Sequence, residues 1–82
     1  MSELWLEVRS PEKIFFSGKV TQLQAMAKDG ALAILAGHAP LATLLSPGLL
    51  CFRSVSGEVN RIEVRGGFLM VKKDRVLVLS LN

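Results

Sequence analysis

The sequence predicts an all-β domain, a flattened two-sheet sandwich or barrel of about eight to ten short strands. Apolar and polar residues alternate with a period of two in several segments, and turn residues recur about every 8–12 positions. Hydrophobic residues make up 50% of the chain, well above a disordered composition. A chain of 82 residues is expected to form one domain, residues 1–82, with a thin core.

The first half of the chain is expected to contain strands separated by short turns. Leu4 begins an alternating segment, and Pro11 with its polar neighbours then predicts a turn, because proline fixes φ. Gly18 predicts a break or bulge, and the segment 28–30 predicts a tight turn. The predicted strands are residues 4–9, 13–16, 20–27 and 32–35.

The second half is expected to begin with a loop and to end in two hairpins. Residues 37–40 predict a loop, residues 41–45 either a strand or a helical turn, and Pro47 another turn. Gly66-Gly67 predicts a bulge or a close approach of two strands. The predicted hairpins pair residues 49–55 with 59–65 and residues 68–72 with 75–81.

Residues 30–52 lack Asp, Glu, Lys and Arg, a length that could cross a bilayer. Two prolines and three glycines divide this stretch into pieces of strand length, so buried strands are expected instead of a membrane helix. Glu3 and Glu7 interrupt the apolar residues near the start of the chain, which is unlike a signal peptide.

Few residues could carry catalytic or metal chemistry. His38 is the only histidine and Cys51 the only cysteine, which excludes a four-ligand zinc site and an internal disulfide. The acidic residues are dispersed, and no glycine-rich loop opens a helix that could hold phosphate. We therefore expect no catalytic residue, no cofactor and no metal site in this chain.

The residues alone favour structural roles for the most conspicuous side chains. His38 is expected to hydrogen-bond within its own loop, and Gly66-Gly67 to serve backbone geometry. Cys51 is expected to be a small buried hydrophobic residue. Trp5 fits a core position and an exposed interface equally well.

A net charge of +3 and a pI near 9.5 also fit an alternative function, a small basic barrel that binds single-stranded nucleic acid. Such barrels stack bases on surface aromatic residues beside cations. The five aromatic residues here do not interleave with Lys or Arg on one strand face, so no nucleic-acid partner is expected. Salt-dependent binding of single-stranded DNA would distinguish the two functions.

Several motifs resemble one family, and they occur in that family's order along nearly the whole chain. The sandwich domain of the epsilon subunit of F-type ATP synthases carries similar motifs at similar spacing. The matching segments are Val8-Arg9-Ser10-Pro11-Glu12-Lys13, Phe16-Ser17-Gly18-Lys19-Val20, Ile34-Leu35-Ala36-Gly37-His38-Ala39-Pro40-Leu41, Ser46-Pro47-Gly48-Leu49-Leu50, Gly66-Gly67-Phe68-Leu69-Met70-Val71 and Arg75-Val76-Leu77-Val78-Leu79.

The resemblance implies a non-catalytic subunit of the central stalk of an F1Fo ATP synthase. Such a subunit binds the gamma subunit and the c-subunit ring and helps couple ion translocation to ATP synthesis. It lies at the cytoplasmic face of the bacterial inner membrane and associates with the membrane only through the complex. The resemblance implies a gamma interface at Ser10, His38 and Thr43. It implies a c-ring interface at Lys28, Asp29, Gly30, Ala31, Leu32 and His38.

The chain also departs from the family pattern. Ala36 stands where a proline is usual, and residues 25–31 replace a more acidic, glycine-rich loop. The family usually continues after the position of Asn82 into a two-helix C-terminal domain, so that hairpin is expected to be absent here. Its known roles, inhibition of ATP hydrolysis and ATP binding in some members, are not carried over. The sequence does not distinguish between H⁺ and Na⁺ as the coupling ion.

Overall fold

A computed structural model describes residues 3–82 of the chain. This range contains six β-strands joined by turns and loops, and no helix. The predicted all-β fold is confirmed. The strands are β1 (Leu4–Arg9), β2 (Ile14–Ala27), β3 (Gly30–Leu35), β4 (Leu41–Ser54), β5 (Val59–Lys72) and β6 (Arg75–Ser80).

The strands form one sheet that closes on itself. Their order is β1-β6-β5-β4-β2-β3, and an additional pairing of β1 with β2 completes a barrel. β3 lies outside the closed ring, as an edge strand beside β2. The pairs are antiparallel except for β1 and β6, which are parallel, with Trp5 beside Arg75 and Arg9 beside Leu79.

The strands are fewer and longer than the sequence predicts, because three expected breaks bend a strand without ending it. Gly18 lies inside β2, Pro47 inside β4 and Gly66-Gly67 inside β5, and each of these strands has 14 residues. Residues 41–45 are strand and not a helical turn. Pro47 is tolerated there because it stands where the strand irregularly changes face, the kind of position to which proline is confined in sheets.

In β4 and β5, the alternation of inward-facing and outward-facing residues shifts by one position. The two shifts lie next to each other in the sheet. On β5, Val64 is buried before the two glycines and Leu69 after them, so the alternation slips by one residue. On β4, Leu45 and Leu50 are both buried although they are five positions apart, so the alternation shifts by one residue there too. Leu45 stays opposite Gly67 in the pairing, so both strands turn over together. One hairpin thereby presents apolar residues on two different outer faces of the barrel.

The barrel interior is filled by aliphatic side chains from all six strands. Phe16 and Phe52 add an aromatic contact, with ring centroids 4.5 Å apart. This interior leaves the remaining apolar residues on the outside. The buried cluster contains Leu4, Leu6, Val8, Val20, Leu23, Ala25, Ile34, Leu45, Leu50, Phe52, Val64, Leu69, Val71, Val76 and Val78.

Candidate functional site: an apolar strip and three turns

His38 lies in the turn between β3 and β4, and its polar atoms are partly used within that turn. Its N–H donates to the carbonyl oxygen of Leu35 at 3.1 Å. Its ring Nδ1 lies 2.7 Å from the carbonyl oxygen of Ala39. A carbonyl oxygen accepts and does not donate, so Nδ1 carries the proton in this bond. The half-buried ring therefore forms the local bond that the residues alone favour.

The tip of the β5–β6 hairpin lies against the His38 turn. Lys73 and Asp74 have φ angles of +50° and +61°, as the two central residues of a type I′ turn. Asp74 Oδ1 accepts the N–H of Gly37 at 2.7 Å, and the Asp74 carbonyl oxygen accepts the N–H of Trp5 at 2.9 Å. The sequence analysis did not single out Asp74, because its partner lies 37 positions away.

The segment predicted to contact the c ring forms the tip of the β2–β3 hairpin. Ala27 pairs with Gly30, so Lys28 and Asp29 are the two loop residues. Residues 28–31 are exposed, and Leu32 is half-buried. The Lys28 N–H donates to the carbonyl oxygen of Leu44 at 3.0 Å, which ties this tip to β4.

Thr43, predicted for the gamma interface, lies beside the β2–β3 tip. It lines a cavity of about 180 Å³ together with Leu41 and residues 29–32. His38 instead is bonded to Leu35, at the other end of β3 from Gly30. The structure thus groups Thr43 with residues 28–32, predicted for the c ring, and places His38, which was predicted for both interfaces, in a separate turn.

Ser10 is 6% exposed and serves its own turn. Its hydroxyl oxygen accepts the N–H groups of Lys13 at 3.1 Å and of Glu12 at 3.3 Å. Trp5, which Asp74 holds near the His38 turn, lies near the start of β1, whereas Ser10 directly follows the end of β1, about 17 Å further along the chain. The structure therefore does not bring Ser10 together with His38.

An outward-facing apolar surface crosses β4, β5 and β6. Leu44 pairs with Phe68, which pairs with Leu79, and in the next row Met70 pairs with Leu77. These side chains point away from the core, because their neighbours Leu45, Leu69 and Val78 are the buried ones. We call this surface the apolar strip and define it by Leu44, Phe68, Met70, Leu77, Leu79 and Leu81.

The apolar strip contains two shallow cavities and a largely cationic border. The larger cavity, about 440 Å³, is lined by Leu44, Phe68 and Leu81 among others. The smaller, about 330 Å³, is lined by Met70, Leu77 and Trp5, which is 36% exposed and thus faces solvent. Four cations border the strip, and the nearby Glu7 is bonded to one of them, Arg9, at 3.2 Å. These cations are Arg9, Arg65, Lys72 and Arg75.

The sequence analysis missed the apolar strip, although a signal was present. Leu44-Leu45 and Phe68-Leu69-Met70-Val71 are apolar at both alternate positions. A strand with one solvated face keeps polar residues on that face, so a continuous apolar run in a small barrel indicates a second covered face.

A further apolar cavity, about 340 Å³, lies on the outer face of β2, β3 and β4. Met26, Ala31, Leu49 and Cys51 line it, so Cys51 is half-buried at a cavity wall and not in the core. Within residues 3–82, no three His, Cys, Asp or Glu residues are grouped so that they could hold a metal ion. The same range contains no helix that is long and apolar enough to cross a membrane.

Curated sequences similar to this chain are ATP synthase epsilon chains. Identity is 46% over 77 residues with that of Solibacter usitatus and 39% over 80 residues with that of Caldicellulosiruptor saccharolyticus. It is 44% over 80 residues with that of Chromohalobacter salexigens. These alignments cover 94–98% of this chain but 57–58% of the relatives, so the chain spans a little over half their length.

Solved structures with a similar fold come from mitochondrial ATP synthases. A chain of the Euglena gracilis OSCP/F1/c-ring structure superposes with a TM-score of 0.91 at 21% identity, covering 98% of this chain and 51% of that one. A chain of the Tetrahymena thermophila central stalk/c-ring structure gives 0.71 at 22% identity, covering 94% and 63%. At sequence identities of 21–22%, this structural similarity shows that the chains share a fold.

The match to a family model extends over the whole described range. The family is described as ATP synthase, Delta/Epsilon chain, beta-sandwich domain, and the match covers residues 3–82. It agrees with the epsilon-chain names of the similar sequences and with the barrel-like sheet described above. The chain belongs to the ATP synthase delta/epsilon-chain beta-sandwich domain family.

Proposed function

We propose that this chain is the sandwich domain of a non-catalytic central-stalk subunit of an F1Fo ATP synthase. It binds the gamma subunit and the c-subunit ring and helps couple ion translocation to ATP synthesis. Its place is the cytoplasmic face of the bacterial inner membrane, where its protein partners hold it. Two observations support this proposal: the family membership, and the origin of the similar chains in an OSCP/F1/c-ring structure and a central stalk/c-ring structure.

The observation that carries the proposal is the apolar strip. Leu44 is 52% exposed, Phe68 39%, Met70 42% and Leu81 71%, and the first three lie on adjoining strands. A contiguous exposed apolar surface with a polar rim marks a protein interface. A docking subunit needs such a surface. Docking then buries the apolar residues that do not fit into the small core.

We assign the apolar strip and the His38 turn to the gamma subunit. The strip's cationic border favours a partner surface that surrounds apolar residues with acidic ones. For Ser10, whose hydroxyl is used internally, we assign the contact to the exposed Pro11 and Glu12 of its turn.

We assign the β2–β3 tip, with Thr43 beside it, to the c ring. Lys28 and Asp29 are exposed there and offer charged groups to the polar loops of a membrane ring. Ala31 offers no polar contact. The bond from Lys28 to β4 fixes the tip, so little conformational entropy is lost when it docks.

The nucleic-acid alternative has less support. Phe52 is 2% exposed and contacts Phe16 inside the barrel, so it offers no surface for base stacking. Phe68, on the strip, has apolar neighbours on its own face and not a cationic groove.

Two leucines on one strand provide a matched test of the gamma assignment. Leu44 and Leu49 are both 52% exposed on β4, but Leu44 belongs to the apolar strip and Leu49 to the cavity on the opposite outer face. Leu44→Glu should weaken binding of the purified chain to a gamma-containing subcomplex by about 10- to 100-fold. Leu49→Glu should bind like the parent.

The measurement is a binding isotherm for each variant, with melting temperatures to verify that both fold. Loss of binding in Leu49→Glu with full binding in Leu44→Glu would show that gamma covers the other face. Equal binding by both variants and the parent would contradict a gamma interface on either face.

The c-ring assignment is tested by cross-linking. Ala31 is exposed at the β2–β3 tip, and Ser56 is exposed in the turn between β4 and β5. In a Cys51→Ser background, Ala31→Cys should form disulfides with cysteines placed in the polar loops of the c subunit, whereas Ser56→Cys should not. Cross-links from Ser56→Cys alone would place the opposite end of the domain at the ring.

A further inference from the structure

We propose that Asp74 is the positioning residue of the His38 turn, and that its carboxylate holds this turn in the conformation that the gamma subunit binds. The inference rests on the proposed function. Asp74 is not among the residues predicted for either interface, and it acts through the backbone of Gly37, the residue before His38.

Asp74 connects three parts of the chain at one point. Its Oδ1 accepts the Gly37 N–H at 2.7 Å, and its carbonyl oxygen accepts the Trp5 N–H at 2.9 Å. Through these bonds the β5–β6 tip fixes both the β3–β4 turn and the start of β1. Since Gly37 lies in a turn outside the strands, its N–H has no strand ladder to hold it.

The residue type at position 74 also indicates a use for the carboxylate. The second central position of a type I′ turn requires a positive φ, and glycine is the residue that best satisfies this requirement. Asp74 occupies it with φ of +61°, which Asp tolerates better than most side chains. An oxygen aimed at Gly37 offsets the conformational disadvantage, because bonds to a charged acceptor are the stronger ones.

Gly37 itself needs an external support. It has φ of +84°, and no heavy atom beyond its two chain neighbours lies within 4 Å of where its Cβ would be, so the space on that side of the turn is open. The Asp74 bond and the His38–Leu35 bond then restrict the turn. Without the Asp74 bond, the turn samples more conformations. Binding of the gamma subunit must then order the turn, which lowers the affinity.

Three substitutions at the same hairpin tip separate the carboxylate from the turn conformation. Asp74→Gly removes the acceptor and keeps a residue suited to positive φ, whereas Asp74→Asn keeps both an oxygen and that tolerance. Lys73→Gly is the matched control, because Lys73 also has a positive φ of +50° but is not the residue that accepts the Gly37 N–H. All three should melt within about 5 °C of the parent.

Two measurements are made on the 82-residue chain. Hydrogen exchange of the Gly37 amide, followed by NMR, should accelerate about tenfold in Asp74→Gly and remain near the parent rate in the other two variants. Affinity for a gamma-containing subcomplex should fall about tenfold in Asp74→Gly and be restored in Asp74→Asn. A purely structural role would alter the melting temperature without this pattern.

Each other outcome overturns a defined part of the proposal. An unchanged Gly37 exchange rate in Asp74→Gly would show that the bond from Gly37 to the Asp74 carboxylate does not hold the turn. A faster exchange with unchanged affinity would show that gamma does not require this turn conformation, while leaving gamma binding itself intact. A parent chain that does not bind the subcomplex would overturn both this inference and the proposed function.

Discussion

At the scale of single residues, the backbone of Gly67 shows how closely two strands approach. A Cβ built there would collide with the carbonyl oxygen of Leu79, and φ is +141°, a value that side chains with a Cβ rarely adopt. The sequence predicts this close approach from the Gly-Gly pair, whereas it does not reveal which backbone approaches. The partner is β6, which follows β5 in the final hairpin.

Gly67→Ala should therefore destabilise the chain by at least about 2 kcal/mol and lower the melting temperature by roughly 10 °C. Gly57→Ala is the control, because Gly57 also has a positive φ but has open space around it, so only the backbone strain of about 1 kcal/mol applies. Thermal melts of the two variants give the comparison. Equal losses would mean that β6 moves aside without penalty.

His38→Glu should weaken assembly with a gamma-containing subcomplex by about 1–3 kcal/mol, in the range of an interface hot spot. The turn is bounded by Gly37 and Pro40 and is fixed by the bond from Gly37 to the Asp74 carboxylate and by the bond from His38 to the Leu35 carbonyl oxygen. It therefore presents His38 with little conformational entropy left to lose. The isolated variant should melt like the parent. If His38→Glu binds as tightly as the parent, His38 is a structural turn residue.

At the scale of elements, strand positions are predictable from the sequence and strand lengths are not. Alternation locates a part of each of the six strands, because one side of each strand faces the core. Pro47 and Gly66-Gly67 indicate interruptions correctly, but they coincide with a change of inner face inside continuous strands. Only the pairing of β4 with β5 shows that the two interruptions stand side by side.

The same limit applies to the candidate site. The three turns are predicted from local residue types such as Pro11, Gly30 and Gly37. The apolar runs of β4 and β5 indicate a covered outer face, but they do not show that these runs form one surface, because the strands meet only in the closed barrel. Asp74 reaches Gly37 across 37 positions, a contact for which no local pattern exists.

Ser10→Ala should destabilise the chain by about 1–2 kcal/mol through the turn between β1 and β2. The substitution removes the buried acceptor of the Glu12 and Lys13 N–H groups, and Ser10→Thr should restore most of the stability because it keeps the hydroxyl. Urea unfolding measures the difference. A full loss of gamma binding without loss of stability would instead give the Ser10 hydroxyl a direct interface role.

At the scale of the whole molecule, core packing and barrel closure should suffice for folding. The purified chain is expected to fold without metal or nucleotide, because within residues 3–82 sixteen apolar residues are buried and all six strands are paired. Far-UV circular dichroism should show mainly β-structure and no change on adding a chelator. A mainly helical spectrum, or unfolding by the chelator, would contradict this.

The parallel pairing of β1 with β6 has a consequence for the order of events during synthesis. On a ribosome adding about 5–20 residues per second, β1 emerges roughly 4–15 s before the strand that must lie beside it. Until then the nascent barrel has an open seam, and Leu6 and Val8, which end fully buried, are only partly covered. The barrel therefore cannot close before β6 has left the ribosome, and the seam between β1 and β6 is the last part of the sheet to form.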